Sequence, residues 1–236
     1  MKIALAKFDE REVFGIYGAT RDKMPERARY LEPAAARAYR NMMEERRVRI
    51  SDMYRTAESS LAAHRSGRGA QMPGYSGHGY GFSIDIDVDW MLNAKGGRFL
   101  TKASLDGFMA DHGWLCHLRG HERGREDWHY NFGVSEFLAD TDARTSTALE
   151  RKIQATYGSQ LKLSISECQG YLRRLGLYHG AIDDIPGPMT REATEAFQRA
   201  WRLDVWKHSA AELGALGPKT QRVLAFVAAE KVIVTA

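Results

Sequence analysis

The sequence predicts an α+β fold: a small antiparallel sheet with flanking helices, followed by a C-terminal three-helix domain. Three observations predict it. Ser83 to Val88 read SIDIDV, a strict alternation that sets Ile84, Ile86 and Val88 on one face and Ser83, Asp85 and Asp87 on the other, as a half-buried strand does. Glu32 to Arg47 is rich in Ala, Met and Arg with Pro33 near its start, the composition of a helix entered through proline. Beyond residue 160, three short stretches are amphipathic at helical spacing: Ser166 to Leu175, Thr190 to Trp201, and a last one opened by Gly217-Pro218-Lys219-Thr220 and running through Phe226.

The remaining elements follow in chain order. A polar, Arg-rich opening precedes the helix over 32–47, and Val48 to Tyr54 reads as a strand. Thr56 to Arg65 has helical composition. Ser66 to Gly81 is dense in glycine around Pro73 and is expected as loop and turn, where backbone can approach a ligand closely. After the alternating strand, Ser104 is the expected cap of a helix that runs to about His112 and is ended by Gly113. Asp127 to Phe132 returns to an aromatic, strand-like composition. The polar, Thr- and Ala-rich stretch from Asp140 to Ser159 reads as a connector, helical in part. The expected division is therefore 1–140, a connector over 141–160, and 161–236.

With 236 residues and ordinary apolar content, the chain has enough core to fold unaided, which excludes global disorder. A formal net charge of +4 suits an anionic partner such as nucleic acid, lipid headgroups or an acidic wall polymer, without choosing among them. No stretch approaches the roughly 20 apolar residues of a membrane-spanning helix, so stable membrane insertion is not expected. The opening MKIALAKFDEREVFG lacks the apolar run and cleavage site of an export signal. Cys116 and Cys168 lie far apart without a CxxC pattern, which favours two reduced thiols.

Chemistry concentrates in two segments. His78 and Asp85 stand seven residues apart, the first in the glycine-rich turn and the second on the strand it enters, and Glu126-Asp127-Trp128-His129 adds a second imidazole with carboxylates beside it. Two imidazoles and a carboxylate are a recurrent donor set for catalytic zinc, and a carboxylate outside the coordination shell can take a water's proton. Each piece alone has a structural explanation. Cys116, His117 and His121 form a rival cluster with an i, i+4 histidine pair, but Gly120 and Gly124 argue against the helix it needs, so this segment reads as a basic loop flanking a cleft.

Together the two segments carry a resemblance. SGHGYGFSID followed by EDWH is similar to the SxHxxGxxxD and ExxH signatures of the M15 metallopeptidases, the D-alanyl-D-alanine carboxypeptidase and L-alanyl-D-glutamate endopeptidase group, over roughly residues 25–135. The resemblance implies a Zn2+ site with His78, Asp85 and His129 as ligands, Glu126 as general base and later proton donor, and Arg55, near the end of the strand-like ISDMYRT, at the developing oxyanion or a substrate carboxylate. Ser76, Asp127 and Trp128 are expected as substrate contacts. The alanine usual two before the aspartate is Ser83 here. Residues three apart in an ideal strand point to opposite faces, so Glu126 and His129 share a site only where the backbone turns between them; Asp127 is the competing base.

The C-terminal stretch resembles the type 1 peptidoglycan-binding domain. Its pattern is met at Gln169, Leu172, Leu175, Gly176, Gly180, Asp183, Gly187, Pro188, Thr190, Ala193, Phe197 and Gln198, with a second Gly-Pro-x-Thr at 217–220. Most of these positions are core or turn chemistry, and the departures lie at Asp184-Ile185 and in DVWKHSAAELGALG. A cell-wall peptidase joined to such a module and lacking an export signal is similar to a bacteriophage endolysin, made in the host cytoplasm and acting on peptidoglycan after release. The expectation is a monomeric zinc peptidase of the peptidoglycan stem peptide, cutting L-alanyl-D-glutamate. The alternatives are a D-Ala-D-Ala carboxypeptidase or a non-catalytic wall-binding structural protein. Nucleic acid is not an expected partner, because only the charge speaks for it.

Overall fold

The computed structural model of the chain describes residues 1–17, 23–66, 70–93, 99–117, 126–205 and 211–235. In chain order the elements are β1 (Lys2–Lys7), β2 (Tyr30–Leu31), α1 (Pro33–Glu45), β3 (Ile50–Asp52), α2 (Ala57–Arg65), α3 (Gly77–Tyr80), β4 (Ser83–Ile86), α4 (Val88–Leu92), α5 (Lys102–Asp111), β5 (Trp114–Cys116), β6 (His129–Phe132), α6 (Thr145–Leu161), α7 (Ile165–Arg174), α8 (Pro188–Ala200), α9 (Pro218–Val227) and β7 (Glu230–Val234). The α+β architecture and the three C-terminal helices are as the sequence predicts.

The central sheet is antiparallel with strand order β3-β4-β6-β5. Its alternation works as expected: Ile84 and Ile86 enter a core with Phe8, Tyr39, Met42, Trp114 and Tyr130, while Asp85 faces the other way. Asp87 leaves the strand, because its carboxylate accepts the Trp90 N–H at 3.1 Å and so caps α4. Two expectations need correction. Ser104 is not the cap of α5: Thr101 accepts the Ser104 N–H and Ser104 reaches back to the Thr101 N–H, a reciprocal cap that starts the helix earlier. The glycine-rich segment is not wholly irregular either, since Gly77–Tyr80 forms one helical turn closed by Gly81 at φ 74. A side chain at Gly81 would also place its Cβ 2.4 Å from the Glu32 nitrogen, so glycine is required twice over.

A second sheet has order β2-β1-β7, with β7 parallel to β1 in register from Lys2↔Glu230 to Ala6↔Val234. The stretch expected as a connector is helix from Thr145, with Ala148, Leu149, Ile153, Tyr157 and Leu161 buried. They belong to one apolar core that runs from Ile3 and Leu5 through Tyr80 and Phe82 to Leu172, Phe197 and Phe226. Tyr80 stacks on Tyr157 at 5.1 Å and meets the Phe226 ring edge-on at 5.1 Å. Arg222 of α9 joins three pieces of chain. Its Nη1 and Nη2 donate to the Glu150 carboxylate on α6 at 2.5 and 2.8 Å, its Nε donates to the Gly74 carbonyl at 2.6 Å, and the guanidinium lies 4.0 Å over the Tyr75 ring. The C-terminal helices thus support the turn that presents His78.

Candidate metal centre

Register creates the first half of the site. Asp85 of β4 and His129 of β6 are direct cross-strand partners, and so are Ser83 and Asn131 two residues along, which places all four on one face. His78 arrives from the α3 turn, 1% exposed, with its ring 5.0 Å from that of His129. One ligand atom from each of His78, Asp85 and His129 lies within 4.8 Å of the others.

Hydrogen bonding decides which nitrogens face inward. His78 Nδ1 is 2.5 Å from the Met53 carbonyl, which can only accept, so the ring donates there and presents a bare Nε2 to Asp85 Oδ1 at 3.2 Å. On the far side, Asn131 Nδ2 donates to Thr145 Oγ1 at 2.7 Å, so its Oδ1 accepts from Ser83 Oγ at 2.6 Å and from His129 Nε2 at 3.2 Å. His129 Nδ1 then points its lone pair at the same Asp85 Oδ1, 2.7 Å away. Two lone pairs and a carboxylate oxygen converge, the donor arrangement of a divalent-cation site. The donor set and its outer partners fit Zn2+, whose ligating imidazoles are held through their second nitrogen in this way. Burial pushes the Asp85 carboxyl up, but His78 and His129, in the protonated form that the site takes without a cation, outweigh it and hold it well below the usual carboxylate range.

Arg55 closes one side. Its Nε donates to Asp52 Oδ2 at 2.5 Å and its Nη2 to Asp85 Oδ2 at 3.3 Å, while its backbone N–H donates to the His78 carbonyl at 3.3 Å. Burial works against the guanidinium charge, and Asp52 and Asp85 more than restore it.

Glu126 resolves the geometric requirement set by the sequence. The segment 126–128 is a turn in which the His129 N–H donates to the Glu126 carbonyl at 3.1 Å, and Glu126 itself sits at φ 72, in the left-handed region. The backbone turns where it has to, and the strand begins only at His129. Glu126, Asp127, Trp128 and Ser76 all line one cavity of about 1440 Å3 with His78, Asp85, His129 and Arg55. Trp128 is 41% exposed there. Ser76 precedes α3 without a side-chain capping bond.

Sequence reasoning missed three contributions. His117, placed by the sequence in a mobile basic loop, continues the edge of β5: its N–H donates to the His129 carbonyl at 2.7 Å, and its ring is 9% exposed, 5.5 Å from the His129 ring. Burial, reinforced by His129 and opposed by Glu126, lowers its pKa to about 4. The period-two alternation in WLCH, with Leu115 and His117 opposite Asn131 and His129, is the signal that points to it. His121, its proposed pair, lies outside the described residues. The Asn131–Thr145 support was not read, nor was the wall that α6 supplies through Ser146, Leu149 and Glu150. Cys116 and Cys168 are buried and form no disulfide among the described residues, and burial pushes the Cys168 thiol up to about 12, so it is no nucleophile near neutral pH. Among the described residues no helix is long and apolar enough to cross a membrane.

Comparison with known proteins adds the following. Residues 163–205 match the family model of a peptidoglycan binding domain, so peptidoglycan is the partner indicated for the C-terminal helices. No curated protein sequence matches the chain. Among solved structures, the LdcB LD-carboxypeptidase, whose structure concerns peptidoglycan recognition, is similar over 62% of this chain and 77% of that one, with 16% identity and a TM-score of 0.44.

Proposed function

We propose that the chain is an endolysin-type zinc peptidase that hydrolyses an amide bond of the peptidoglycan stem peptide, L-alanyl-D-glutamate in the first instance, with residues 161–236 holding it to its polymer. The observation that carries this reading is the convergence of His78 Nε2, His129 Nδ1 and Asp85 Oδ1, with the Glu126 turn opening into the same cavity. Bound there, zinc supplies Lewis acidity toward a carbonyl and a water acidified toward pH ~7. The chain's residues do the rest. Glu126 accepts the proton of the attacking water and returns it to the leaving amine. Arg55, clamped through Nε and Nη2, has Nη1 without a hydrogen bond among the described residues and steadies the oxyanion with it. Trp128, Asp127 and Ser76 contact the peptide along the cavity. The wall-binding module raises the local concentration of the site at its substrate without adding a contact to it.

Mass spectrometry of digested peptidoglycan tests the bond: new N-terminal D-Glu is expected, whereas released D-Ala assigns a carboxypeptidase and removes the endopeptidase reading. Chelation should stop the reaction and zinc restore it. Glu126→Ala should slow hydrolysis on the order of 10²–10⁴-fold. Activity that survives both a chelator and Glu126→Ala overturns the mechanism.

A further inference from the structure

We propose that His117 is a positioning residue that aims the Glu126 carboxylate at the reacting atoms; this rests on the peptidase reading above and adds a member to its site. His117 Nε2 lies 3.0 Å from Glu126 Oε2. A carboxylate only accepts, so an approach this close calls for the imidazole proton on Nε2. Its other nitrogen agrees: Nδ1 is buried without a hydrogen-bond partner, which a bare lone pair tolerates better than a stranded N–H would be tolerated there. The ring is held by its backbone. Its N–H is fixed to His129 on β6 at 2.7 Å and its carbonyl accepts the Thr145 N–H of α6 at 2.9 Å, so Asp85, His129 and His117 stand in a row across three strands.

Glu126 needs such a hold. Its side chain is 43% exposed and grows from a residue at φ 72, and among the described residues His117 is the one group within ion-pair distance of its carboxylate. Free rotation of a glutamate dilutes any one orientation on the order of ten- to thirtyfold. A buried imidazole 3.0 Å from the carboxylate removes that freedom. Among the described residues the Asp127 carboxylate has no imidazole at ion-pair distance, which is what singles out Glu126 between the two.

The test compares His117→Phe, His117→Gln and Glu126→Gln in the full chain loaded with zinc. His117→Phe is expected to lower kcat about 10- to 100-fold with KM within about twofold and bound zinc unchanged. His117→Gln, whose amide nitrogen reaches the place of Nε2, should recover kcat to within about threefold of the parent. Adding His117→Phe to Glu126→Gln should cost nothing further. Independently of turnover, long-range 1H–15N correlation on the parent protein should find His117 as the Nε2–H tautomer, with its Nε2 signal moving in Glu126→Gln. An unchanged kcat in His117→Phe, loss of zinc from it, failure of Gln to rescue, or an Nδ1–H tautomer each overturns the proposal. Should the Phe variant not fold, the Gln variant and the tautomer decide. Full activity in Glu126→Gln instead overturns the peptidase mechanism itself, a result distinct from any of these.

Discussion

The C-terminal helices and the imidazole–carboxylate cluster both bury polar side chains, and the partners differ. Gln169 is fully buried, and its amide oxygen accepts the N–H groups of Asp183 and Asp184, while its nitrogen meets Asp183 Oδ1, the Ile185 carbonyl and Thr190 Oγ1. Gln198 repeats the scheme one helix later, accepting from Gly214 and donating to the Glu212 and Ala215 carbonyls and Thr220 Oγ1. Each glutamine ties a helix to a turn and to the threonine of the next Gly-Pro-x-Thr start. The oxygen and the nitrogen of each amide find their partners inside the chain, so nothing outside it is needed. Around Asp85 donors and acceptors do not balance: bare nitrogens of two imidazoles face a carboxylate oxygen. A closed polar network is architecture, and one that closes only around an added cation is a site.

The largest test of that contrast is Gln169→Ala. Stranding the turn's N–H groups should cost roughly 2–4 kcal/mol, read as a lower urea midpoint for the whole chain because the core is continuous. Zinc binding by the folded fraction should stay intact; its loss would break the distinction. Next, zinc at about a hundred times its Kd should stabilise the protein by about 2.7 kcal/mol, reversed by chelator. Gln169→Ala should keep that increment and Asp85→Asn should lose it.

The smallest effect concerns a third kind of buried polar group. Lys152 donates to the Phe132 carbonyl at 2.7 Å and lies 4.2 Å from the Phe82 ring centre, and burial lowers its pKa from 10.5 to about 8. The folded value lies below the unfolded one, so the unfolded chain binds more protons between pH 8 and 10.5 and native stability rises across that window. Relative to Lys152→Met, the parent should gain roughly 1–2 kcal/mol from pH 8 to pH 10.5, after allowance for partial exposure. A flat difference would show that the amine is not buried in solution.

Local patterns were legible where local physics decides. The alternation at 83–86, the proline-led helix at 33–45 and the Gly-Pro-x-Thr helix starts follow from period and capping alone. His78, Asp85 and His129 were legible as residue types, whereas their convergence depends on the Asp85↔His129 register, a relation between strands 44 residues apart. Asn131 and His117 were missed for the same reason, since their partners are remote in sequence. Strands β1 and β7 were missed because KIALAK and EKVIV are short and pair only with each other and with two residues of β2. Asp184, a departure from the module's pattern, adopts φ 61 and accepts the Ser166 N–H at 2.7 Å, a turn detail no periodicity reveals.

The pairing of β1 with β7 also fixes an order of events. Lys2 meets Glu230 side by side, so the first strand waits for the synthesis of residues more than two hundred positions later before it finds its neighbour. At roughly 5–20 residues per second that wait lasts on the order of ten to forty seconds, during which Ile3 and Leu5 lack the company that buries them. Tyr80, in the same turn as His78, waits in its own shorter interval for Phe226. A ribosome-bound chain therefore holds an unassembled cluster, and the turn that presents His78 takes its final support late, a timing built into connectivity.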